Sequence, residues 1–277
     1  MATATKDQDV ATADRTMTKP AVVTGASSGI GAEFARQLAR KGYDVVLVAR
    51  RLDTLEELAA DLAARYGVET DALSADLATP EGVAVVAKRL AVGDVDLLVN
   101  NAGFATLGEF HGLPPERELE EIDLNIKALV ALTNAALGPM VQRGSGTVIN
   151  MASLGAFQPC PYMATYVATK AFILHFSESV HEEVRPHGVT VTCVCPGFVP
   201  TEFQQVSGVD LEETRTFGMQ TPRQVVSAAL KAAAAGKAIV VPGSLNGIMS
   251  QTSRIAPRFL TRRLSGSFFK EQATKKS

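Results

Sequence analysis

The feature that most constrains this chain is an alternation of short, β-branched apolar runs with longer segments of helical apolar spacing, repeated over most of its length. The predicted strands are AVVT at 21–24, DVVLVA at 44–49, VETDALSADL near 68–77, DLLVN at 96–100, GTVINMAS at 146–153, VTVTCVCPG at 189–197 and KAIVVPG at 237–243. Most are continuously apolar rather than alternating, as strands buried on both faces are. Strands of that kind joined by helical crossovers predict an α/β fold, a doubly wound seven-stranded parallel sheet with helices on both faces. No linker interrupts 20–245, so one catalytic domain over 19–250 is expected, with a leader at 1–18 before it and a basic tail at 251–277 after it.

Composition removes several classes of function. With 27 basic and 29 acidic residues and a net charge of -2, the chain lacks the broad positive field that attracts nucleic acid. No apolar run approaches the ~18 residues that cross a bilayer, which argues against a spanning helix. Residues 1–18 lack the apolar segment of a secretory signal and read as a disordered leader. Cys160, Cys193 and Cys195 have neither zinc-ligand nor C-x-x-C spacing, so no metal is expected. They read as packed small side chains, a usage that suits a reducing cytoplasm.

Directly after the first strand comes TGASSGIG at 24–31, opening a helix. Gly25, Gly29 and Gly31, with Ser27, Ser28 and Ile30 between them, allow a tight strand-to-helix turn whose backbone N–H groups approach a pyrophosphate, the Rossmann-like arrangement. A turn that only reverses the chain is the alternative. The second strand ends VARR, and no carboxylate occupies 47–52. An acidic side chain there would accept from a ribose 2'-hydroxyl, whereas Arg50 and Arg51 favour a 2'-phosphate and therefore NADP(H). Solvated charges at a helix start are the competing reading of the two arginines. Asp76, next to Leu77 at the end of the third strand, suits either an adenine amino group or a helix cap.

Further along stand NNAG at 100–103, Asn125, Ser153, and Tyr166 with Lys170 in YVATK. Reducing a ketone by hydride requires a proton for the nascent alkoxide, and a phenol of ordinary pKa ~10 handles that proton slowly in reverse. Tyr166 and Lys170 lie four apart, so one helix face can set the ammonium beside the phenol and lower its pKa. The Ser153 hydroxyl can polarise the substrate carbonyl and stabilise developing charge. Singly, each residue has a plainer explanation: a surface Tyr–Lys pair, a helix cap, a satisfied polar group.

Taken together, TGxxxGxG, NNAG, a serine 13 residues before the tyrosine, YxxxK and PGFVPT resemble the single-domain short-chain dehydrogenase/reductase family over most of 20–245. The resemblance implies that Asn125, Ser153, Tyr166 and Lys170 are catalytic, the lysine also holding the nicotinamide ribose and Asn125 supporting a water chain to it. It implies that Asn100, Ala102 and Gly103 line the adenine-ribose side of the cofactor, and that Pro196, Gly197, Val199 and Thr201 line its carboxamide end. A carbonyl or secondary-alcohol substrate follows, and a homodimer or homotetramer is expected. A dinucleotide-sensing regulator on the same fold is the alternative function.

Past Thr201 the chain enters a region suited to a substrate lid, with Phe157, Phe198, Phe203, Phe217 and Met219 as candidates for an apolar wall. Residues 251–277 hold seven basic residues against one acid, Glu271, with Ile255, Phe259, Leu260, Leu264, Phe268 and Phe269 interleaved. Such a tail either packs on the enzyme or its partner subunit or rests on an anionic membrane surface. The segment AIVVPGSLNGIMSQTSRIAPRFL is similar to the C-terminal part of reductases of long-chain 3-oxo acyl lipids, which implies a lipidic or bulky apolar ketone.

Overall fold

The computed structural model describes residues 19–207 and 218–274. The predicted leader, Phe217 and the last three residues of the tail lie outside the described residues.

Seven strands form one parallel sheet: β1 (Pro20–Thr24), β2 (Asp44–Ala49), β3 (Thr70–Ser74), β4 (Leu97–Asn100), β5 (Gly146–Met151), β6 (Val189–Val194) and β7 (Ile239–Val240). Their spatial order is β3-β2-β1-β4-β5-β6-β7. Six fall within the predicted runs, and β1 starts one residue before its own, at Pro20. Every residue of β1, β2 and β4 is buried, which accounts for their uninterrupted apolar character. At the edge, β3 leaves Asp71 and Ser74 exposed, and β7 pairs over only two residues before Pro242 and Gly243 end it.

Helices cover both faces. Against one lie α1 (Gly29–Arg40), α2 (Leu52–Tyr66) and α8 (Pro222–Ala234), with Phe34, Leu38, Leu55, Leu62, Val225 and Ala229 in the shared core. Against the other lie α3 (Pro80–Leu90), α5 (Leu129–Arg143) and α6 (Ala164–Val184), with Val86, Leu90, Leu132, Ala136 and Met140 buried against Val22, Val46 and Leu98. Thr79 caps α3 by accepting from Gly82 N, and Thr221 with Gln224 forms a capping box at α8.

A continuous helix runs from Pro115 to Arg143: α4 (Pro115–Ile122), a widened π turn over Asp123–Ala128, and then α5. By length and composition this helix could cross a membrane, contrary to the sequence expectation, although Leu129, Leu132, Thr133, Ala136 and Met140 are packed into the core. The remaining α-helices of the described residues are α7 (Glu202–Ser207), α9 (Ser244–Ile255) and α10 (Arg258–Thr274).

β1 sits between β2 and β4, so the order of the sheet reverses at its carboxyl end. Loops leaving β1 and β4 there diverge to opposite faces and open a crevice, the place where open α/β sheets bind ligands.

Candidate active site

A cleft of about 880 Å³ occupies this crevice. Its floor begins at the glycine turn. Gly25 has φ +65, and a Cβ there would lie 3.0 Å from the Ala102 Cα and 2.8 Å from the Asn101 side chain. A Cβ on Gly31 would lie 2.1 Å from the Gly25 carbonyl oxygen, so α1 starts as close to the turn as a backbone can approach. Thr24 ties the two diverging loops together: its hydroxyl donates to Val99 O and accepts from Asn101 N and Ala102 N. Asn101 adds a bond from Nδ2 to Thr24 O.

Most of the predicted cofactor residues line this cleft. Gly25, Ser27, Ser28, Gly29 and Ile30 form the turn side; Arg50, Arg51, Asp76 and Leu77 form one end; Ala102, Gly103, Pro196, Gly197, Val199 and Thr201 form the opposite wall. Two do not. Gly31 is buried beneath the turn, where it makes the close approach possible. Asn100 is the last residue of β4, and its side chain turns under the sheet, donating to Thr133 Oγ1 at 3.0 Å and Asn150 Oδ1 at 2.9 Å. Its neighbour Asn101 faces the cleft instead, as successive side chains along an extended chain point to opposite sides. Asp76 accepts from Ala78 N at 3.0 Å, while the cap of α3 is Thr79, so Asp76 shapes the preceding turn and faces the cleft as well.

Arg51 crosses the mouth of the groove. Its Nη2 lies 3.0 Å from Ser27 Oγ and 2.9 Å from Glu202 Oε2, joining the glycine turn to α7. The pair is half-exposed, so it contributes little to stability. Its geometry nevertheless sets a guanidinium beside the turn residues.

Of the four predicted catalytic residues Ser153, Tyr166 and Lys170 line the cleft, whereas Asn125 is buried outside its lining and joined to α6 through Thr169. Ser153 follows β5 with an extended backbone, caps the short turn Leu154–Phe157 by accepting from Gly155 N, and stands near enough to the Tyr166 phenol to act on its pKa. Tyr166 and Lys170 stand one turn apart on α6, with Lys170 Nζ 5.6 Å from the centre of the phenol ring. Lys170 Nζ donates to Met151 O at 3.0 Å, which fixes the ammonium under the end of β5. Asn125 lies in the π turn, a distortion often found at functional sites. Its Nδ2 donates to Phe104 O and Thr169 Oγ1 and its Oδ1 accepts from Phe104 N, pinning the loop after β4 to α6. A Cβ on Gly103 would lie 2.8 Å from Asn125 Oδ1, so this position too needs a glycine.

Burial dominates the electrostatics. It pushes the Tyr166 phenol up to about 12, with Ser153 acting the other way, and pushes Lys170 down to about 8, opposed by Glu121. The expected lowering of the phenol by its lysine neighbour is not seen: Ser153 is what acts to lower it, and loss of solvent outweighs that.

Sequence reasoning missed Glu121. It lies one helical turn before Asn125, is fully buried, and accepts from Thr106 N at 3.1 Å and Thr106 Oγ1 at 2.9 Å, with Asn125 Nδ2 3.5 Å away. Burial raises its carboxyl from 4.5 to about 7. An acid four residues before Asn125 within an apolar stretch was the available signal. The raised value means the folded chain holds a proton that the unfolded chain gives up. Stability from this group is full below about pH 4.5 and is lost as pH rises to about 7, by about 3 kcal/mol. Glu121→Gln should remove that loss. Denaturant unfolding at about pH 5 and about pH 8 checks it, and a variant with the same difference between the two as the native chain would show that Glu121 does not titrate in this range.

The substrate end of the cleft is apolar. Phe198, Phe203, Met163, Cys160, Phe268 and Phe269 line it, Phe203 standing 5.7 Å from the Tyr166 ring. Phe198 and Phe203 take up the predicted wall, whereas Phe157 packs with Ala152 and Ile173 in the core and Met219 is exposed. Phe268 and Phe269, centroids 4.8 Å apart, come from α10, so the tail is part of the site. It is docked by Phe269 and Ala273 in the cluster around Met163, and by Ser265 Oγ donating to Pro159 O.

The family model for short chain dehydrogenases matches residues 19–212. Among curated relatives, the very-long-chain 3-oxoacyl-CoA reductase of Phaeosphaeria nodorum is 37% identical over 67% of this chain. The human protein of the same description is 32% identical over 76% of this chain. The chain spans little more than half of the first relative's length, 56%, and 67% of the human protein. Among solved structures, a short-chain dehydrogenase from Sphingobium yanoikuyae in complex with NADPH is 34% identical, with a TM-score of 0.78 over 87% of this chain and 97% of its own. The bulky-bulky ketone specific alcohol dehydrogenase from Comamonas testosteroni is 29% identical, with a TM-score of 0.74 over 86% of this chain and 92% of its own.

Proposed function

The chain belongs to the short-chain dehydrogenase family, oxidoreductases of carbonyl and hydroxyl groups, and from that premise we propose that it uses NADP(H) to reduce a bulky, lipid-like ketone of the 3-oxo acyl class. The observation that carries the reading is the continuity of one cleft from Arg51 and the glycine turn, past Tyr166 and Ser153, into a pocket walled by Phe198, Phe203, Phe268 and Phe269.

The residues fit a nicotinamide dinucleotide: glycines at close-approach positions, a helix N-terminus at the turn, and an arginine where the second strand ends. Ser27, Ser28, Gly29 and Ile30 would hold the pyrophosphate, Arg50 and Arg51 a 2'-phosphate, and Asp76, Leu77, Ala102 and Gly103 the adenosine side. Pro196, Gly197, Val199 and Thr201 would hold the carboxamide end. NADPH, when bound, supplies the hydride. Ser153 holds and polarises the carbonyl oxygen, and the Tyr166 hydroxyl gives that oxygen its proton. Lys170, anchored on Met151 O, places positive charge below the phenol and offsets the cost of the tyrosinate left behind. Asn125 keeps the β4 loop and α6 in register so that these groups stay aligned.

The NADPH complex and the bulky-ketone dehydrogenase among the similar structures, and the 3-oxoacyl-CoA reductases among the relatives, support the same assignment. The buried free thiols Cys160, Cys193 and Cys195 suit a reducing cytoplasmic setting, and assembly as a homodimer or homotetramer belongs to the same reading.

Steady-state assays with 3-oxo esters graded by chain length test it. We expect kcat/KM to rise with chain length, NADPH to be preferred over NADH by roughly tenfold or more, and Arg51→Ala to erode that preference. Efficient turnover of small polar ketones with neglect of long-chain 3-oxo esters would overturn the substrate assignment.

A further inference from the structure

Helix α9 and the first turns of α10 are inside out for a protein surrounded only by water. α9 buries Asn246 and Ser250, at 2% and 1% exposure, and turns Leu245, Ile248 and Met249 outward. The first turns of α10 do the same: Thr261 and Ser265 are buried, while Phe259, Leu260 and Leu264 are exposed, Leu264 at 64%. A water-facing helix normally places these types the other way round. The buried polar groups are satisfied locally: Asn246 Nδ2 donates to Pro242 O and Gly218 O, Ser250 Oγ to Gly247 O, and Ser265 Oγ to Pro159 O. The arrangement is therefore stable as it stands, and the apolar side chains are left facing out.

Charge indicates what they face. Arg258, Arg262 and Arg263 are exposed among the apolar residues of α10, whose only acid is Glu271. Basic groups interleaved with large apolar ones on one helix match the interface of an anionic bilayer, where the apolar side chains enter the acyl boundary and the guanidiniums meet lipid phosphates. Self-association through the same surface is disfavoured, since the cores of such contacts are depleted of charge and a twofold contact sets each arginine cluster toward its copy. Both helices also border the cleft: Asn246 and Met249 of α9, and Ser265, Phe268 and Phe269 of α10, line it.

We propose that the outward faces of α9 and α10 form a docking surface for an anionic lipid bilayer, setting the apolar end of the cleft against the membrane so that a lipid substrate enters without crossing water. This deepens the lipid-like substrate assigned above and rests on it for the entry route, whereas docking itself is measurable without substrate.

The test is co-sedimentation of the full chain with phosphatidylcholine vesicles, with and without phosphatidylglycerol, at low and high salt. The expected result is sedimentation with the phosphatidylglycerol vesicles that weakens as salt rises. Partitioning should fall by at least ~10-fold in Arg262→Glu/Arg263→Glu and in Phe259→Ser/Leu264→Ser. Both variants should keep the native oligomeric state in light scattering and the native rate on a short, soluble 3-oxo ester. Failure of the native chain to sediment, variants that sediment as it does, or a change of oligomeric state in the apolar variant would overturn the proposal. The last result would assign the surface to a second copy of the chain.

Discussion

Tyr166→Phe is expected to lower kcat for carbonyl reduction by roughly 10²- to 10⁴-fold while leaving NADPH affinity near native. The substitution removes one oxygen and nothing else. The ring keeps its place against Phe203 and over Lys170 Nζ, so the cleft that holds the dinucleotide is preserved. What disappears is the proton donor beside Ser153. Fluorescence titration with NADPH and a steady-state assay on the same preparation separate the two effects. A Phe variant with native turnover would remove Tyr166 from the chemistry, and one that no longer binds NADPH would make the hydroxyl part of the cofactor site.

Gly31→Ala is expected to cost about 3–5 kcal/mol of stability and to abolish dinucleotide binding. Its Cβ would sit 2.1 Å from the Gly25 carbonyl oxygen and 2.7 Å from Asn101 Nδ2. The first contact is with backbone, so no side chain can swing aside to relieve it. Relief requires α1 to retreat from the turn or the turn to open, and either movement withdraws the N–H groups from the place where a pyrophosphate would lie. Gly42→Ala supplies the comparison. Gly42 has φ +81 but nothing within 4 Å of an added Cβ, so its substitution should cost only the left-handed backbone penalty of about 1–2 kcal/mol. Denaturant midpoints of the two variants measure the difference, and equal losses would show that the close approach at Gly31 is unimportant.

Much of this was legible before any coordinates because the signals are local. Each strand is a short apolar run between turn residues, and the step from β1 through the glycines into α1 is written within a dozen residues. Tyr166 and Lys170 share a helix face by spacing alone. What was not legible depends on how distant segments meet. Which of two adjacent asparagines faces the cleft depends on how β4 is set in the sheet: Asn100 bonds Thr133 and Asn150 beneath the sheet while Asn101 turns to the glycine loop. Asn125 could be placed in a helix, yet its partners, Phe104 and Thr169, come from other elements. The rise of the Tyr166 phenol by desolvation depends on how completely the site is enclosed, which spacing does not reveal. The C-terminal helix was the hardest segment. Its buried stripe of Thr261 and Ser265 is polar, so the usual pattern of apolar-in and polar-out gives the wrong face, and its contribution of Phe268 and Phe269 to the cleft is hidden.

The central claim is that this cleft moves a hydride onto a carbonyl carbon, rather than only sensing a dinucleotide. The most direct test is to incubate the native chain with NADPH carrying deuterium on the transferring face of its nicotinamide C4, together with a long-chain 3-oxo ester, and to analyse the product by mass spectrometry. The account predicts a 3-hydroxy ester with a single deuterium at C3, and no such product from Tyr166→Phe on the same timescale. Tight NADPH binding with no deuterium reaching the ester, or the label released to water, would contradict it.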